Sequence, residues 1–552
     1  MTSAASDSRP VALAPANAAV LNLLGLSIDY VTERGQPVAA LHEVSMELHS
    51  RRTLGVLGES GSGKSTLSRA ILQLLPSSAK VVSGSIAFQQ TKNLLSLTPQ
   101  KMRAIRGAGI ALISQEPALA LNPVLTIGKQ IMDVLRAHGS VSKQEAMQQT
   151  AAMLREVGFS EPDRLLQAYP HQLSGGQRQR AAIAQALICR PGLLIADEPL
   201  SALDTITQAE ILEVLHKLKD ELGLAMIFIT QNAWAISDLA DELVVLRNGS
   251  VVAVGKFEEL AGSTDEYVRG LMFPEKSFQS EVSKVLPRAE SASAPLVQVH
   301  QLSKKFVQRH VFSGKKFAVQ ALREISLDIP EGSTTAIIGR SGSGKSTLAR
   351  CIAGFEQADE GGVLVQGARV MGPQPDVQLI FQDAGTALNP SFTAEELIAE
   401  PMEIAGQGTA NERRERVLSL IREVGLDPES ARRRAGEFSG GQKQRLALAR
   451  ALAANPRLLI LDESLSGLDL PLQAKMLKLL LDLQKSHGLS YLHICHDLNF
   501  IGLFAREVIV MDQGRVVERV TPAELQSSTE PATRALMEAG ARLHAPGLEA
   551  VL

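Results

Sequence analysis

The sequence predicts an α/β protein built from two tandem domains of one kind, each around a largely parallel sheet. Three observations predict it. Gly58-Glu59-Ser60-Gly61-Ser62-Gly63-Lys64-Ser65-Thr66 returns as Gly339-Arg340-Ser341-Gly342-Ser343-Gly344-Lys345-Ser346-Thr347. Leu173-Ser174-Gly175-Gly176-Gln177 and Asp197-Glu198 return, in the same order, as Phe438-Ser439-Gly440-Gly441-Gln442 and Asp462-Glu463. Short apolar strands and amphipathic helices alternate around both sets. At 552 residues the chain is too long for one core, and the repeat divides it into domains of ordinary size.

The elements follow in order. Residues 1–19, rich in Ala, Ser and Pro, read as a disordered lead-in. They lack a basic start followed by an apolar run, so they do not read as a signal peptide. The first domain covers 20–273 and the second 296–552, with 274–295 as a Ser/Ala/Glu-rich linker. Each domain opens with β-type segments, at 23–30 and 44–48 and again at 297–306 and 325–329. A strand (53–57, 334–338) then runs into the Gly-rich loop, and a helix (65–75, 346–353) leaves it, the setting a P-loop requires. The middle regions, 116–172 and 384–437, carry amphipathic helices such as 143–157 and 412–424. A further apolar strand (193–196, 458–461) delivers each acidic pair. Lys64 and Gln115 are 51 residues apart, whereas Lys345 and Gln382 are 37 apart, so the second half lacks 14 residues in this stretch.

Composition excludes several classes. A net charge of −3 is a poor match to a protein that coats nucleic acid. The cysteines Cys189, Cys351 and Cys495 have neither metal-ligand nor disulfide spacing, which fits a reducing cytosol. No apolar run approaches the roughly 18 to 20 residues that span a bilayer, so a membrane role would come through partners.

The repeated motifs specify phosphate chemistry. In G-x-x-x-x-G-K-[ST] the backbone N–H groups form an anion cradle at a helix N-terminus. Gly58, Ser60, Gly61, Gly63 and Thr66, with Gly339, Ser341, Gly342, Gly344 and Thr347, belong to the two cradles. Lys64 and Lys345 would neutralise β- and γ-phosphate charge, and Ser65 and Ser346 would place a hydroxyl on Mg²⁺. Asp197 and Asp462, at strand ends, would hold Mg²⁺ through water; Glu198 and Glu463 would polarise an attacking water. Ser174, Gly176 and Gln177, like Ser439, Gly441 and Gln442, offer a hydroxyl and open amides at another helix N-terminus, a second anion site.

Together with Gln115, Gln382 and a downstream His496, this ordered set resembles the ABC-type ATPases, over nearly the whole chain. The resemblance implies an antiparallel β subdomain, a RecA-like core and a helical subdomain in each half, with ATP and Mg²⁺ as ligands. It also implies intramolecular head-to-tail pairing of the domains, so that Ser439 and Gly441 would close over ATP on Lys64, and Ser174 and Gly176 over ATP on Lys345. Gln115 and Gln382 would approach the metal, Tyr30 and Phe306 take the place of the adenine-stacking aromatic, and Asp204 and Asp469 match the D-loop.

The segments from Gln115 (Glu-Pro-Ala-Leu-Ala-Leu-Asn-Pro) and Gln382 (Asp-Ala-Gly-Thr-Ala-Leu-Asn-Pro), and the tails Asp265-Glu-Tyr-Val-Arg-Gly-Leu-Met and Ala532-Thr-Arg-Ala-Leu-Met, resemble the oligopeptide, dipeptide and nickel importers. That implies a fused pair of ATPase subunits on the cytoplasmic face of the inner membrane. Two integral-membrane permease subunits would be its partners, with an extracytoplasmic substrate-binding protein served indirectly. Peptides are the expected cargo, with nickel or metal chelates and opines next; nucleic acid is not an expected partner. Two alternatives stay open: a fused sugar-importer ATPase and a soluble two-domain protein acting on ribosomes. The short, weakly charged linker and the missing Cys cluster speak against the second.

One position breaks the repeat. His496 lies 34 residues after Asp462 and fits a switch histidine; 34 residues after Asp197 stands Gln231. Glutamine can donate a hydrogen bond but cannot carry a proton. The expectation is that Glu463 and His496 drive turnover while the Lys64 site hydrolyses slowly; the blander alternative is that Gln231 substitutes as a donor.

Overall fold

The computed structural model describes residues 19–31, 35–115, 120–201, 203–273, 295–309, 316–381, 384–465, 468, 470–496, 498 and 501–543. The chain forms two compact units, the first closing at Phe273 and the second opening at Pro274. Residues 1–18 of the lead-in, 274–294 of the linker, Gln382 and Asp469 lie outside the described residues.

The strands of the first unit are β1 (Ala19–Val31), β2 (Pro37–His49), β3 (Thr53–Leu57), β4 (Ala79–Phe88), β5 (Ile110–Ile113), β6 (Leu193–Asp197), β7 (Ala225–Thr230), β8 (Glu242–Arg247) and β9 (Ser250–Gly255). Ala19, read as the last residue of the lead-in, already pairs with His49. An antiparallel sheet runs β2-β1-β4, and a six-stranded sheet runs β5-β6-β7-β3-β8-β9, parallel except for the final β8–β9 pair. Every residue of β3, β6 and β7 is buried, as parallel strands covered on both faces require. Leu23, Leu26 and Ile28 of β1, Val56 of β3, Ile195 of β6 and Leu67 and Ile71 of the P-loop helix share one core, which locks the two sheets together.

Between β5 and β6 lies a helical layer: Ile127–His138, Lys143–Glu156 and Gly175–Leu187. Thr126, Ser142 and Ser174 cap these helices by accepting from the backbone N–H of Lys129, Glu145 and Gln177. The P-loop helix is shorter than the sequence suggests, Lys64–Ile71 rather than 65–75. Gln73 turns left-handed at φ 50°, and Arg106 takes the carbonyls of Leu72 and Gln73 at 2.7 and 2.9 Å. Arg106 follows the helix Pro99–Ile105, which with the single turn Leu94–Ser96 forms an excursion between β4 and β5.

The second unit repeats the plan with β10 (Pro295–Arg309), β11 (Lys316–Pro330), β12 (Thr334–Ile338), β13 (Glu360–Val365), β14 (Ala368–Arg369), β15 (Val377–Ile380), β16 (Leu458–Asp462), β17 (Ser490–Ile494), β18 (Glu507–Asp512) and β19 (Arg515–Val520). Pro295, read as the last linker residue, pairs with Pro330. The sheets run β11-β10-β13-β14 and β15-β16-β17-β12-β18-β19. Where the first unit makes its helical excursion, β13 turns directly back on β14; this accounts for the shorter spacing.

Candidate nucleotide-binding sites

Each P-loop leaves the end of a buried central strand and curls into the N-terminus of a helix. The turn closes on Gly63 and Gly344, both at φ 105°. A Cβ would lie 2.6 Å from the Ala40 carbonyl at Gly63 and 2.5 Å from that of Ala321 at Gly344, so only glycine fits. Gly61 and Gly342, both at φ 80°, open the same turn. Lys64 Nζ donates to the Gly58 and Glu59 carbonyls at 2.7 and 2.8 Å, and Lys345 Nζ to those of Gly339 and Arg340 at 2.8 and 2.9 Å. Burial pulls the Lys345 ammonium below the usual lysine range, and Glu463 opposes that pull. Ser62 Oγ and Ser343 Oγ are buried without a hydrogen-bond partner among the described residues. Open glycine amides, a buried lysine and an unpaired hydroxyl fit a phosphate chain.

Beside each cradle the acidic strand ends. Ser65 Oγ lies 3.4 Å from Asp197 Oδ1 and Ser346 Oγ 2.9 Å from Asp462 Oδ1, the hydroxyl–carboxylate pair a phosphate-bound Mg²⁺ requires. A residue the motif reading missed enters here: Ser68 Oγ donates to Asp197 Oδ2 at 2.8 Å, whereas Ala349 stands at the matching place in the second unit. The Asp462 carboxyl is held above the usual carboxylate range by burial, against the Ser346 hydrogen bond, with Glu463 adding to the rise. Among the described residues no group of three or more His, Cys, Asp or Glu side chains could hold a metal alone, so the metal would rely on nucleotide oxygens.

Glu198 and Glu463 are left-handed, at φ 49° and 50°. Their surroundings differ. Glu198 Oε1 accepts from Gln231 Nε2 at 2.8 Å and Oε2 from Gln115 Nε2 at 3.1 Å. Glu463 Oε1 meets His496 Nε2, while His496 Nδ1 is buried without a partner among the described residues. Burial raises the Glu463 carboxyl, but the His496 hydrogen bond and charge outweigh it, so the group stays below its ordinary range and ionised at neutral pH.

Ser174 and Gln177 cap one another: Ser174 N–H donates to Gln177 Oε1 at 3.1 Å and Gln177 N–H to Ser174 Oγ at 3.3 Å. Ser439 N–H donates to Gln442 Oε1 at 3.1 Å. A Cβ on Gly441 would lie 2.6 Å from Leu472 Cδ2, and one on Gly176 would overlap Thr207 Cγ2, so a larger residue at either place would have to push those methyls aside. Tyr30 OH lies 3.4 Å from Thr66 Oγ1, which puts that ring beside the first P-loop helix. Phe306 sits on β10 with Lys304 Nζ 5.4 Å from its ring centroid.

The tail helix Glu266–Met272 also touches the first site. Tyr267 OH donates to the Leu246 carbonyl at 3.0 Å and accepts from Glu59 N–H at 3.3 Å. Trp234, three residues past Gln231, donates from Nε1 to the Met272 carbonyl at 2.6 Å.

The sequence profile of the family described as ABC transporter matches residues 41–201 and 322–466, the stretches that carry both sets of motifs. The chain belongs to the ABC transporter family. It is 38% identical to the glutathione import ATP-binding protein GsiA of Salmonella typhimurium strain LT2, over 94% of this chain and 89% of that protein. The protein of the same name from Escherichia coli K12 is 36% identical over the same shares. A solved bacterial ABC transporter cassette, MJ0796 in its dimeric form, is 28% identical over 43% of this chain and 98% of its own, with a TM-score of 0.39. This ABC protein is thus an ATP-hydrolysing, energy-coupling subunit with Mg²⁺ as its metal, and its partners are membrane permease proteins. Among the described residues no helix is long and apolar enough to cross a membrane.

Proposed function

We propose that this chain powers the uptake of small peptides, glutathione-like tripeptides included, from the cytoplasmic face of the inner membrane. It would act on two permease subunits fed by an extracytoplasmic binding protein. The GsiA relatives are named for glutathione import, which supports a peptide cargo over a sugar and over a ribosomal role. For permease docking, the first unit offers a cleft of about 290 Å³ beside Gln115, lined by Leu72, Leu74, Ile113, Ala120 and Val134. In the second unit the exposed rings of Phe355 and Phe381 lie 6.1 Å apart at the corresponding edge, next to residue 382.

The proposed chemistry assigns Lys64 and Lys345 to the terminal phosphates, Ser65 with Asp197 and Ser346 with Asp462 to Mg²⁺, and Gln115 and Gln382 to the metal's edge. Tyr30 and Phe306 would stack on adenine, and the head-to-tail pairing described above would bring each Ser-Gly-Gly-Gln segment to the opposite ATP. Bound Mg²⁺ supplies positive charge where negative charge builds on the phosphates. Glu463, ionised and fixed by His496, orients the attacking water. Glu198 has both oxygens engaged by neutral amides, and neither amide can take up a proton. The contrast between His496 on Glu463 and Gln231 on Glu198 carries the proposal that the Lys345 site turns over and the Lys64 site mainly holds ATP.

The ATPase activity of the full chain with its permease tests this. Glu463→Gln and His496→Ala are expected to remove most turnover, and Glu198→Gln far less; equal losses from the two glutamate changes would overturn the asymmetry. Uptake by a strain lacking the chain tests the cargo: restoration of maltose but not glutathione or dipeptide uptake would overturn the peptide assignment.

A further inference from the structure

We infer that Gln179 and Gln444, five residues past Ser174 and Ser439, are positioning residues that hold the water-orienting glutamates in their working conformation. The inference rests on the proposed role of Glu463 and extends it to a residue outside the nucleotide motifs. Gln179 is 1% exposed, and its Nε2 donates to the Pro199 carbonyl at 2.7 Å. Gln444 Nε2 donates to the Ser464 carbonyl at 2.6 Å. Pro199 and Ser464 directly follow Glu198 and Glu463, so the same bond forms twice although the residue that receives it has changed.

The bond matters because of the glutamate backbone. A non-glycine residue at φ near 50° is strained and persists only where its surroundings over-determine it. Upstream, Glu198 N–H donates to the Ile229 carbonyl at 2.9 Å and Glu463 N–H to that of Ile494 at 3.0 Å. Downstream in the first unit, Ser201 N–H and Oγ donate to the Glu198 carbonyl at 3.1 and 2.9 Å. In both units the glutamine amide then pins the carbonyl one peptide further on. Without that bond the second peptide can rotate, the turn can relax, and the carboxylate swings away from its water. Gln444 Oε1 is itself buried without a partner among the described residues. Of the two ends of this amide, only the N–H₂ is engaged, so its donor is what the site uses. The same side chain also ties the Ser-Gly-Gly-Gln helix of each unit to that unit's own glutamate turn.

The test uses the full chain, with Mg-ATP turnover and ATP binding measured from pH 5.5 to 8.5. Gln444→Met removes the donor while keeping the volume, and is expected to lower kcat about tenfold, a loss in keeping with a misplaced catalytic group, with KM for ATP little changed. Gln444→Glu is expected to match the methionine variant at pH 8.5, where its carboxylate repels the carbonyl. It should then gain on that variant as the pH falls, because a buried carboxylic acid protonates and donates. A side chain that only filled space would show no such pH-dependent ratio. A Gln444→Met kcat within twofold of wild type, or a Glu-to-Met ratio flat with pH, would overturn the inference. If Gln444→Met does not fold, the slope of Gln444→Glu relative to wild type decides alone. Glu463→Gln is the control: retained turnover there would remove the glutamate's role itself, whereas its loss beside a normal Gln444→Met would remove only the positioning role.

Discussion

At the scale of single residues, the two halves diverge where one side chain meets another. Gln231 and His496 reach the same carboxylate edge on equivalent glutamates, but only the imidazole can hold a proton. In a Glu463→Gln background, where residual turnover reports the Lys64 site, adding Gln231→His is expected to raise ATPase activity on the order of tenfold, at the lower end for a positioned acid–base group. No increase would show that Gln231 is not what limits that site. His493 on β17 gives a second, unrelated effect. It is buried edge-on against Phe504, with ring centroids 5.4 Å apart, and burial lowers its pKa from 6.5 to about 4. The unfolded chain therefore takes up a proton as the pH falls through 6.5, and the folded unit does not follow until about 4. Stability is full above that window and lost across it, by on the order of 3 kcal/mol in all, given 1.36 kcal/mol per pH unit. The first half has Phe228 at this place. Thermal unfolding of His493→Phe at pH 7.5 and 5 is expected to show a smaller acid loss than the parent chain; an unchanged loss would mean other groups set the acid limit.

At the scale of elements, the P-loop and its supports decide what each site tolerates. Gly344→Ala adds a methyl 2.5 Å from the Ala321 carbonyl at a backbone angle of 105° that alanine rarely adopts. ATP binding at the second site is expected to be lost, which nucleotide titration of the full chain would read directly. The tail helix Glu266–Met272 braces the first P-loop through Tyr267, and Ala532 stands at the matching place in the second tail. Tyr267→Phe leaves the Leu246 carbonyl and the Glu59 N–H without that hydroxyl, and is expected to destabilise the first unit by about 1 to 2 kcal/mol in denaturant unfolding. The excursion Pro99–Ile105 works in the same way on the other end of the P-loop helix, through Arg106.

At the scale of the whole molecule, duplication gives one chain two similar sets of site residues, and the proposed asymmetry between them can be counted. If only the Lys345 site turns over, trapping with vanadate and Mg-ATP is expected to leave about one ADP per chain; two would contradict the proposed division of labour. The repeat, the α/β class, both P-loops, the acidic strand ends and the broken histidine position were all legible in the sequence. Each is a local pattern: a strand running into a glycine turn, or an apolar run ending in a carboxylate, is set by neighbouring residues. What only the tertiary structure decided involves residues far apart in sequence. Ser68 reaches Asp197 across 129 positions, Tyr267 reaches Glu59 across 208, and Gln179 holds the carbonyl after Glu198 from another helix. None has a local signature, because a serine, tyrosine or glutamine on a helix is usually surface or core. The left-handed turn at Glu198 and Glu463 was equally hidden: its strain is maintained by contacts on both sides, and those contacts exist only once the sheet and the helical layer have met.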